Sequence, residues 1–337
     1  METILLDDSE ADLLKAADII KNGGIVGIPT ETVYGLGADA SNPEAVSKIF
    51  TAKGRPADNP LIVHLADFSN AVMYTTYIPE LAKKIAERFC PGPLTIVLPK
   101  NDRIPSITSG GLDTVGIRIP SHKTMHRIIE LSGCPIAAPS ANTSGLPSPT
   151  SADHVMDDMN GKINAVVDGG QSEFGVESTV ISIENETSVR ILRPGCITRE
   201  MLLELCDDVI IDPAILHDLE AGQTAASPGM KYKHYSPSAD VIMVEGSIEE
   251  FTEYVKKFNA PCVCSLIYDE DRKYFPYRYM TYGSSSSEQA HWLFQRLREL
   301  DELGIKKVFV RAPSIDGVGL AVYNRLIRAA GFEVIKL

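Results

Sequence analysis

The fold turns on residues 42–66, NPEAVSKIFTAKGRPADNPLIVHLA. Asn42 and Pro43 open it as a helix start, with Pro43 in the first turn. The helix runs to Lys53, and Gly54, Pro56 and Pro60 break it. LIVHLA then follows. It is too apolar to alternate, so it reads as a strand buried on both faces. A helix feeding a doubly buried strand is the grammar of an α/β layer structure. Between them stand two cations, Lys53 and Arg55, on a stiff turn in a chain of net charge -13. One reading is a solvated loop. The other is an anion clamp, with Lys53 as a point charge and Arg55 as a planar fork for phosphate oxygens.

Working outward, the N-terminal two-thirds repeats the pattern. TILLD reads as a strand, and Ser9 with Asp12 reads as a capping box opening a helix that Gly23 and Gly24 end. IVGIPTE, LTIVLP, TVGIRIP, PIAAPS, AVVDGG, STVISIEN and VRILRPG read as strands. YIPELAKKIAERF, SHKTMHRIIELSG and TREMLLELC read as helices. Strands outnumber helices, so a mixed twisted sheet is expected rather than pure βαβ alternation. The pattern breaks at about 207–238 and restarts at Asp240 as a compact βαβαβ-like unit. The expected organisation is therefore a catalytic domain over 1–206, a linker over 207–238 and a smaller Rossmann-like α/β domain over 239–337.

The length of 337 residues suits two such domains, and 44% hydrophobic with 23% charged residues excludes disordered and collagen-like classes. No apolar run reaches the roughly 18 residues of a membrane span. The N-terminus is acidic and lacks a basic leader, so a cytoplasmic protein with no membrane partner is expected. The six cysteines form no CxxC pair, and no His cluster has zinc spacing. GxxxxGK[ST] and GxSxG are absent, which removes P-loop and serine-hydrolase chemistry. GVGLAV at Gly317 is an incomplete dinucleotide fingerprint and reads as a tight strand–helix turn.

Candidate chemistry gathers at strand ends. PTETVYGLG (29–37) puts Thr-Glu-Thr at the end of an apolar strand, ahead of a Gly-rich turn. APSANTSGLPSPT (138–150) offers hydroxyls, amides and backbone N–H groups suited to phosphate or ribose. GIRIP places Arg118 inside an apolar strand, where it needs a partner: a substrate carboxylate or a structural Asp or Glu. ESTV and LRPG add Ser178, Thr179 and Arg193, and His64 is the only histidine in these segments. Several polar strand ends, each after an apolar run, point to one shared cleft.

In this order and spacing, PTETVYGLG, KGRPADNPL, GIRIP, APSANTSG, ESTV and RPG resemble the YrdC-like family. The chain as a whole resembles its long, two-domain form, with SPGMKYKHYSP (227–237) as the linker. The resemblance implies a nucleotidyltransferase. It would join L-threonine, bicarbonate and ATP, with Mg²⁺ on the ATP phosphates and no metal ligand from the protein, into threonylcarbamoyl-adenylate and pyrophosphate. Other proteins would then transfer the group to adenosine 37 of tRNA, so the tie to tRNA is indirect. By motif, Lys53, Arg55, Ser140 and Asn142 match the nucleotide-binding signature, with Lys53 and Arg55 as the catalytic cations. Asn59, Thr114, Ser148, Arg193 and Tyr235 fall at further ATP positions. Thr32, His64, Arg118, Ala138 and Ser178 fall at threonine positions. Residues 227–237 are expected to act as a lid that keeps water from carbamate and adenylate.

Two other readings stand beside this one. An RNA-binding module could use a concave basic face, although no Lys/Arg stripe is present. A carbamoyl-adenylate activity occurs in hydrogenase-maturation proteins that contain this domain. Their acylphosphatase and zinc-finger-like modules have no signature here.

Overall fold

Asn42 caps the helix expected after it. Its side-chain oxygen accepts hydrogen bonds from the backbone N–H groups of Glu44 and Ala45, both at 3.1 Å. Pro43 sits where a missing N–H costs nothing. At the other end Gly54 takes a left-handed φ of 63°, which glycine adopts without strain. This stop delivers Lys53, the last helical residue, and Arg55 into the turn before the strand Ile62–His64.

The computed structural model describes residues 2–217 and 235–337. In chain order the first part comprises β1 (Ile4–Leu6), α1 (Glu10–Lys21), β2 (Val26–Ile28), β3 (Gly35–Asp39), α2 (Pro43–Lys53) and β4 (Ile62–His64). Then come α3 (Glu80–Phe89), β5 (Leu94–Pro99), β6 (Thr114–Arg118), α4 (Lys123–Ser132), β7 (Ile136–Ala137) and α5 (Ala152–Met159). It closes with β8 (Ala165–Val167), β9 (Thr179–Ile183), β10 (Ser188–Arg193), α6 (Arg199–Leu203) and β11 (Asp208–Ile211). The strands form one mixed 11-stranded sheet, ordered β1-β8-β2-β3-β7-β4-β6-β5-β9-β10-β11. The second part comprises β12 (Asp240–Glu245), α7 (Ile248–Lys256), β13 (Val263–Ile267), β14 (Tyr279–Thr281), α8 (Ser286–Glu302), β15 (Lys307–Arg311), α9 (Gly319–Ala329) and β16 (Val334–Lys336). Its 5-stranded sheet, β14-β13-β15-β12-β16, is parallel throughout.

Among the described residues, helices cover both faces of the second sheet; in the first they cover one face and, on the other, only β1, β2, β7 and β8, leaving Ile62, Val180 and Leu192 as a small cluster of strand residues. In the first, Val46, Ile49 and Phe50 of α2 and Leu81 and Ile85 of α3 pack on Leu36, Val63, Ile96 and Ile117. Leu13 and Ile20 of α1, with Met125 and Ile128 of α4, pack on Val26, Ile28 and Val167. Each fully buried aliphatic or aromatic side chain contributes about 1.5–3 kcal/mol. In the second sheet α8 and α9 share one core with Val241, Leu266 and Val310, and α7 shares the other with Val244, Ile267 and Phe309.

Register builds the site. His64 pairs with Arg118 between parallel β4 and β6, and Arg118 pairs with Thr95 of antiparallel β5. Thr95 pairs with Val180 of β9, two residues after Ser178. On the other side His64 pairs with Ile136 of β7, and Gly35 bridges to Ser140 just beyond β7. One row across the sheet therefore aligns the ends of five segments that the sequence marks as polar.

The mixed twisted sheet and the Rossmann-like second sheet are as expected. Three local readings change. Ser9 precedes α1 without a side-chain cap; Asp12 instead accepts from the Asp7 N–H at 3.1 Å, and Asp7 from the Ser9 N–H at 2.9 Å. GLG of PTETVYGLG is not a turn but the start of β3, because antiparallel pairing with β2 accepts its glycines. The first sheet also continues past 206: Asp208–Ile211 pairs in parallel with Ser188–Ile191. Residues 218–234 of the expected linker lie outside the described residues.

Arginines of the second part reach the first. Arg298 of α8 bonds both carboxylate oxygens of Asp158 at 3.1 and 3.0 Å and the carbonyl of Pro147 at 2.6 Å. Arg325 of α9 bonds Glu177 at 2.9 Å.

Replacing Asn42 with Ala should lower stability by about 1 kcal/mol, seen as a lower denaturant midpoint at unchanged slope. A shift indistinguishable from zero would show that the cap is not holding the helix.

Candidate active site

The cleft is walled by Thr30, Thr32, Lys53, Arg55, His64, Arg118, Ala138, Ser140, Asn142, Glu177, Arg193 and Tyr235, among others. It therefore joins PTET, KGR, LIVH, GIR, APSAN, EST and LRP at one place, as the strand-end pattern predicts.

Lys53 is 2% exposed. Its ammonium donates to the carbonyls of Ser140 and Asn142, each at 2.6 Å, and more weakly to Asn142 Oδ1 at 3.4 Å. Burial, with Arg55 nearby, drives its pKa well below the usual lysine value. Its donors are spent on protein, so Lys53 clasps the Ser140–Asn142 loop rather than presenting a free charge. The loop is also closed on itself. Ser140 Oγ donates to Asn142 Oδ1 at 2.5 Å, and Asn142 Nδ2 donates to the carbonyls of Thr143 and Leu146 at 2.8 and 2.9 Å.

Arg55 is held loosely. One terminal nitrogen donates to the carbonyls of Asn59 and Pro60 at 3.4 and 3.5 Å, and its buried Nε has no partner. Burial lowers its pKa to about 10. Both side-chain atoms of Asn59 are likewise buried and unpartnered. Arg193 is 7% exposed and donates to the carbonyl and hydroxyl of Ser178, both at 3.0 Å. Burial lowers its pKa to about 10 as well. Among the described residues, no carboxylate forms an ion pair with Lys53, Arg55 or Arg193. A buried guanidinium without a counter-ion is costly unless an anion arrives. These cations lie inside the cleft, not along an open face, so they form no platform for an RNA backbone.

Arg118 resolves the choice left by the sequence. It pairs with Glu31 at 2.7 Å, both side chains being 5% exposed or less. Glu31 is the structural carboxylate inside Thr-Glu-Thr. Burial pushes its pKa up, but Arg118 outweighs that and holds it below the usual range. The pairing is incomplete: Arg118 Nε and Glu31 Oε2 are both buried without partners. His64 Nδ1 lies 3.2 Å from the carbonyl of Ile136, so Nδ1 carries the proton and donates. Burial and the Arg118 charge lower its pKa to about 3, so it is neutral. Thr32 bonds hydroxyl to hydroxyl with Thr30 at 2.9 Å.

Four expected site residues do not wall the cleft. Ser178 and Ser148 stand one bond behind it, Ser178 against Thr95 at 2.8 Å and Arg193, Ser148 against Glu177 at 2.5 Å. Asn59 lies beneath Arg55. Thr114 begins β6, four residues before Arg118, and pairs with Pro99. The LRPG turn is pressed onto EST: a Cβ on Gly195 would lie 2.4 Å from the Thr179 nitrogen. Of the linker, Tyr235 walls the cleft with a φ of 65°. Ser236 donates from its N–H to the Gly145 carbonyl at 2.9 Å and from its hydroxyl to the Ala329 carbonyl at 2.8 Å. The rest of the expected lid, 227–234, lies outside the described residues.

Sequence reasoning missed Glu31 and Glu177. Both lay in motifs already singled out, but the hydroxyls beside them drew the functional reading. Their signal was a carboxylate next to a strand-end hydroxyl in a segment too apolar to leave it solvated.

A mixed α/β sheet with a buried, cation-rich cleft at its strand ends defines an anion-handling enzyme of the nucleotide-using kind. The Sua5_yciO_yrdC family model, described as telomere recombination, matches residues 18–195. The model for the threonylcarbamoyl-AMP synthase C-terminal domain matches residues 197–331. The chain belongs to this Sua5/YciO/YrdC family, in its two-domain form. It is 46% identical over 333 residues to the threonylcarbamoyl-AMP synthase of Pyrococcus abyssi, covering 96% of this chain and 95% of that protein. The protein of the same name from Bacillus subtilis is 41% identical, with 98% and 96% covered. The crystal structure of P. abyssi Sua5 complexed with L-threonine superposes with a TM-score of 0.91 at 42% identity, covering both chains fully (100% each).

The neutral His64 yields a pH prediction. A histidine whose folded pKa is depressed stabilises the fold above its unfolded pKa, about 6.5, and that contribution is lost as pH falls towards 3. His64→Gln should therefore flatten the fall in stability between pH 6 and 4 by up to about 1.4 kcal/mol per pH unit. Parallel pH–stability curves for the two proteins would contradict the buried neutral state.

Proposed function

We propose that this protein is a threonylcarbamoyl-AMP synthase, forming threonylcarbamoyl-AMP and pyrophosphate from L-threonine, bicarbonate and ATP. The observation that carries the reading is the buried set of Arg55, Arg193 and Arg118, of which the first two form no ion pair among the described residues. Full-length similarity to proteins of that name supports it.

The chemistry explains the residues. Threonine's amine adds to CO₂ or bicarbonate and gives a carbamate. A carbamate oxygen attacks the α-phosphorus of ATP, the bond to the bridging oxygen breaks, and pyrophosphate leaves with the electron pair. Two anions must meet, so fixed positive charge in a dry site lowers the barrier. Arg55 and Arg193 take the nucleotide's phosphates. Asn59, Thr114, Ser140, Asn142, Ser148 and Tyr235 shape the rest of the ATP side. Lys53 acts through the loop it clasps. Thr32, His64, Ala138 and Ser178 frame threonine, and hydroxyl-directed hydrogen bonds there reject valine. Arg118 takes the threonine carboxylate on the nitrogen that Glu31 leaves unpartnered. Because Glu31 neutralises one charge, Arg118 offers a directed donor more than net attraction.

Magnesium belongs to this reading as the ion carried on the ATP phosphates. Among the described residues, the one carboxylate lining the cleft, Glu177, already has both oxygens engaged by Ser148 and Arg325, so it offers no ready ligand. The product would pass to the proteins that modify adenosine 37 of tRNA, which fits a cytoplasmic setting. Among the described residues no helix is long and apolar enough to cross a membrane.

The test is pyrophosphate release from ATP with threonine and bicarbonate omitted in turn. Release should need both. Arg55→Ala should lower turnover about 100-fold, the scale of one fixed electrostatic donor, with a melting temperature no lower than that of wild type. Release that ignores threonine, or a variant at near-normal turnover, would overturn the reading.

A further inference from the structure

Arg325 lies on α9 of the second domain, yet it is 0% exposed and bonded into the wall of the first domain's cleft. Its Nε donates to Glu177 Oε2 at 2.9 Å, one terminal nitrogen to the Pro194 carbonyl at 2.7 Å, and the other to the Glu177 carbonyl at 3.4 Å. Its neighbour Asn324 accepts from it at 3.1 Å and donates to the Ile215 carbonyl at 2.6 Å. The guanidinium carbon also lies 5.9 Å from the Tyr235 ring centroid. One planar fork thus touches the residue before Ser178, the residue after Arg193, and Tyr235.

Glu177 passes the contact on. Its other oxygen accepts from Ser148 at 2.5 Å, and Glu177 is among the residues that line the cleft. Arg193 in turn is fixed by Ser178, the next residue along. Remove Arg325 and a buried carboxylate loses its cation, the Arg193 turn loses a clamp, and the ring of Tyr235 loses its support. The threonine-side side chains Thr32, His64, Arg118 and Ser178 are held by the first domain's own bonds, to Thr30, Ile136, Glu31 and Thr95.

We infer that Arg325 is a positioning residue for the ATP side of the active site, so that the second domain completes that site from behind. The inference rests on the reaction proposed above. Two features set it apart from mere domain glue. Arg298 of α8 already joins the domains through Asp158 of α5, which does not line the cleft. Arg325 of α9 instead pairs with a carboxylate residue that does. Burial pushes Glu177 up, and Arg325 is the largest influence opposing it, ahead of Arg193 and Ser148.

The experiment compares full-length wild type, Arg325→Met, Arg325→Lys, Glu177→Gln and Arg325→Met/Glu177→Gln in pyrophosphate release, with melting temperatures alongside. Arg325→Met should raise the KM for ATP about tenfold or more, against about twofold for threonine. Its acid limb in kcat/KM for ATP should move up by about one pH unit or more, because Glu177 loses its main stabilising charge. Adding Glu177→Gln should abolish that shift, since no carboxyl remains to titrate. Arg325→Lys keeps the charge but not the fork: it should leave the acid limb in place and still raise the KM for ATP about threefold. If Arg325→Met does not fold, the lysine variant and Glu177→Gln decide the matter by the same KM split. Equal changes in both KM values, or an unmoved acid limb in Arg325→Met, would overturn the inference. Wild type failing to require threonine would instead overturn the proposed function and leave the ATP-binding comparison, read by titration calorimetry, to judge Arg325.

Discussion

The structure depends on placing positive charge where water is scarce without neutralising it. Arg55 and Arg193 are held in the cleft by carbonyls and a hydroxyl, with no ion-paired carboxylate among the described residues. Neutral acceptors orient a cation but leave its charge available. Two carboxylates that enter the region, Glu31 and Glu177, are held in place: Glu31 bonds Arg118, and Glu177 bonds Arg325, a residue from the other domain. The cleft is thus positive inside a chain of net charge -13. For a reaction between a carbamate and a nucleotide triphosphate, that local excess cancels the repulsion that would keep the reactants apart.

Sheet register makes this possible. Mixed pairing lets β4, β6, β7 and β9 end near one another, so polar ends from distant parts of the chain meet. The apolar interiors of the same strands hold these ends, because Val63, Ile117, Ala137 and Ile181 are buried in the main core of the first sheet. Rigid placement matters more here than any nucleophile of the protein's own, since catalysis by position and charge tolerates little displacement.

Much of this was legible in the sequence. The apolar LIVHLA run declared a doubly covered strand, and Asn42, Pro43 and Gly54 declared both ends of the helix before it. The strand-end polar clusters foretold one cleft, and the structure assembles it. What stayed hidden is long-range. Nothing near Ser9 says that Asp7 and Asp12 will take its capping role, and GLG looks like a turn until β2 lies beside it. The pairings of Glu31 and Glu177 stayed hidden because their partners, Arg118 and Arg325, stand 87 and 148 residues away. Lys53 was read as a free charge because its acceptors are backbone carbonyls, which no side-chain pattern reveals.

The central claim is that the cleft's cations await two anions. A crystal structure of the protein with L-threonine and a non-hydrolysable ATP analogue tests it most directly. The account predicts phosphate oxygens within hydrogen-bond distance of Arg55 and Arg193, and the threonine carboxylate on Arg118. A nucleotide bound elsewhere, with both arginines still bonded only to Asn59, Pro60 and Ser178, would contradict it.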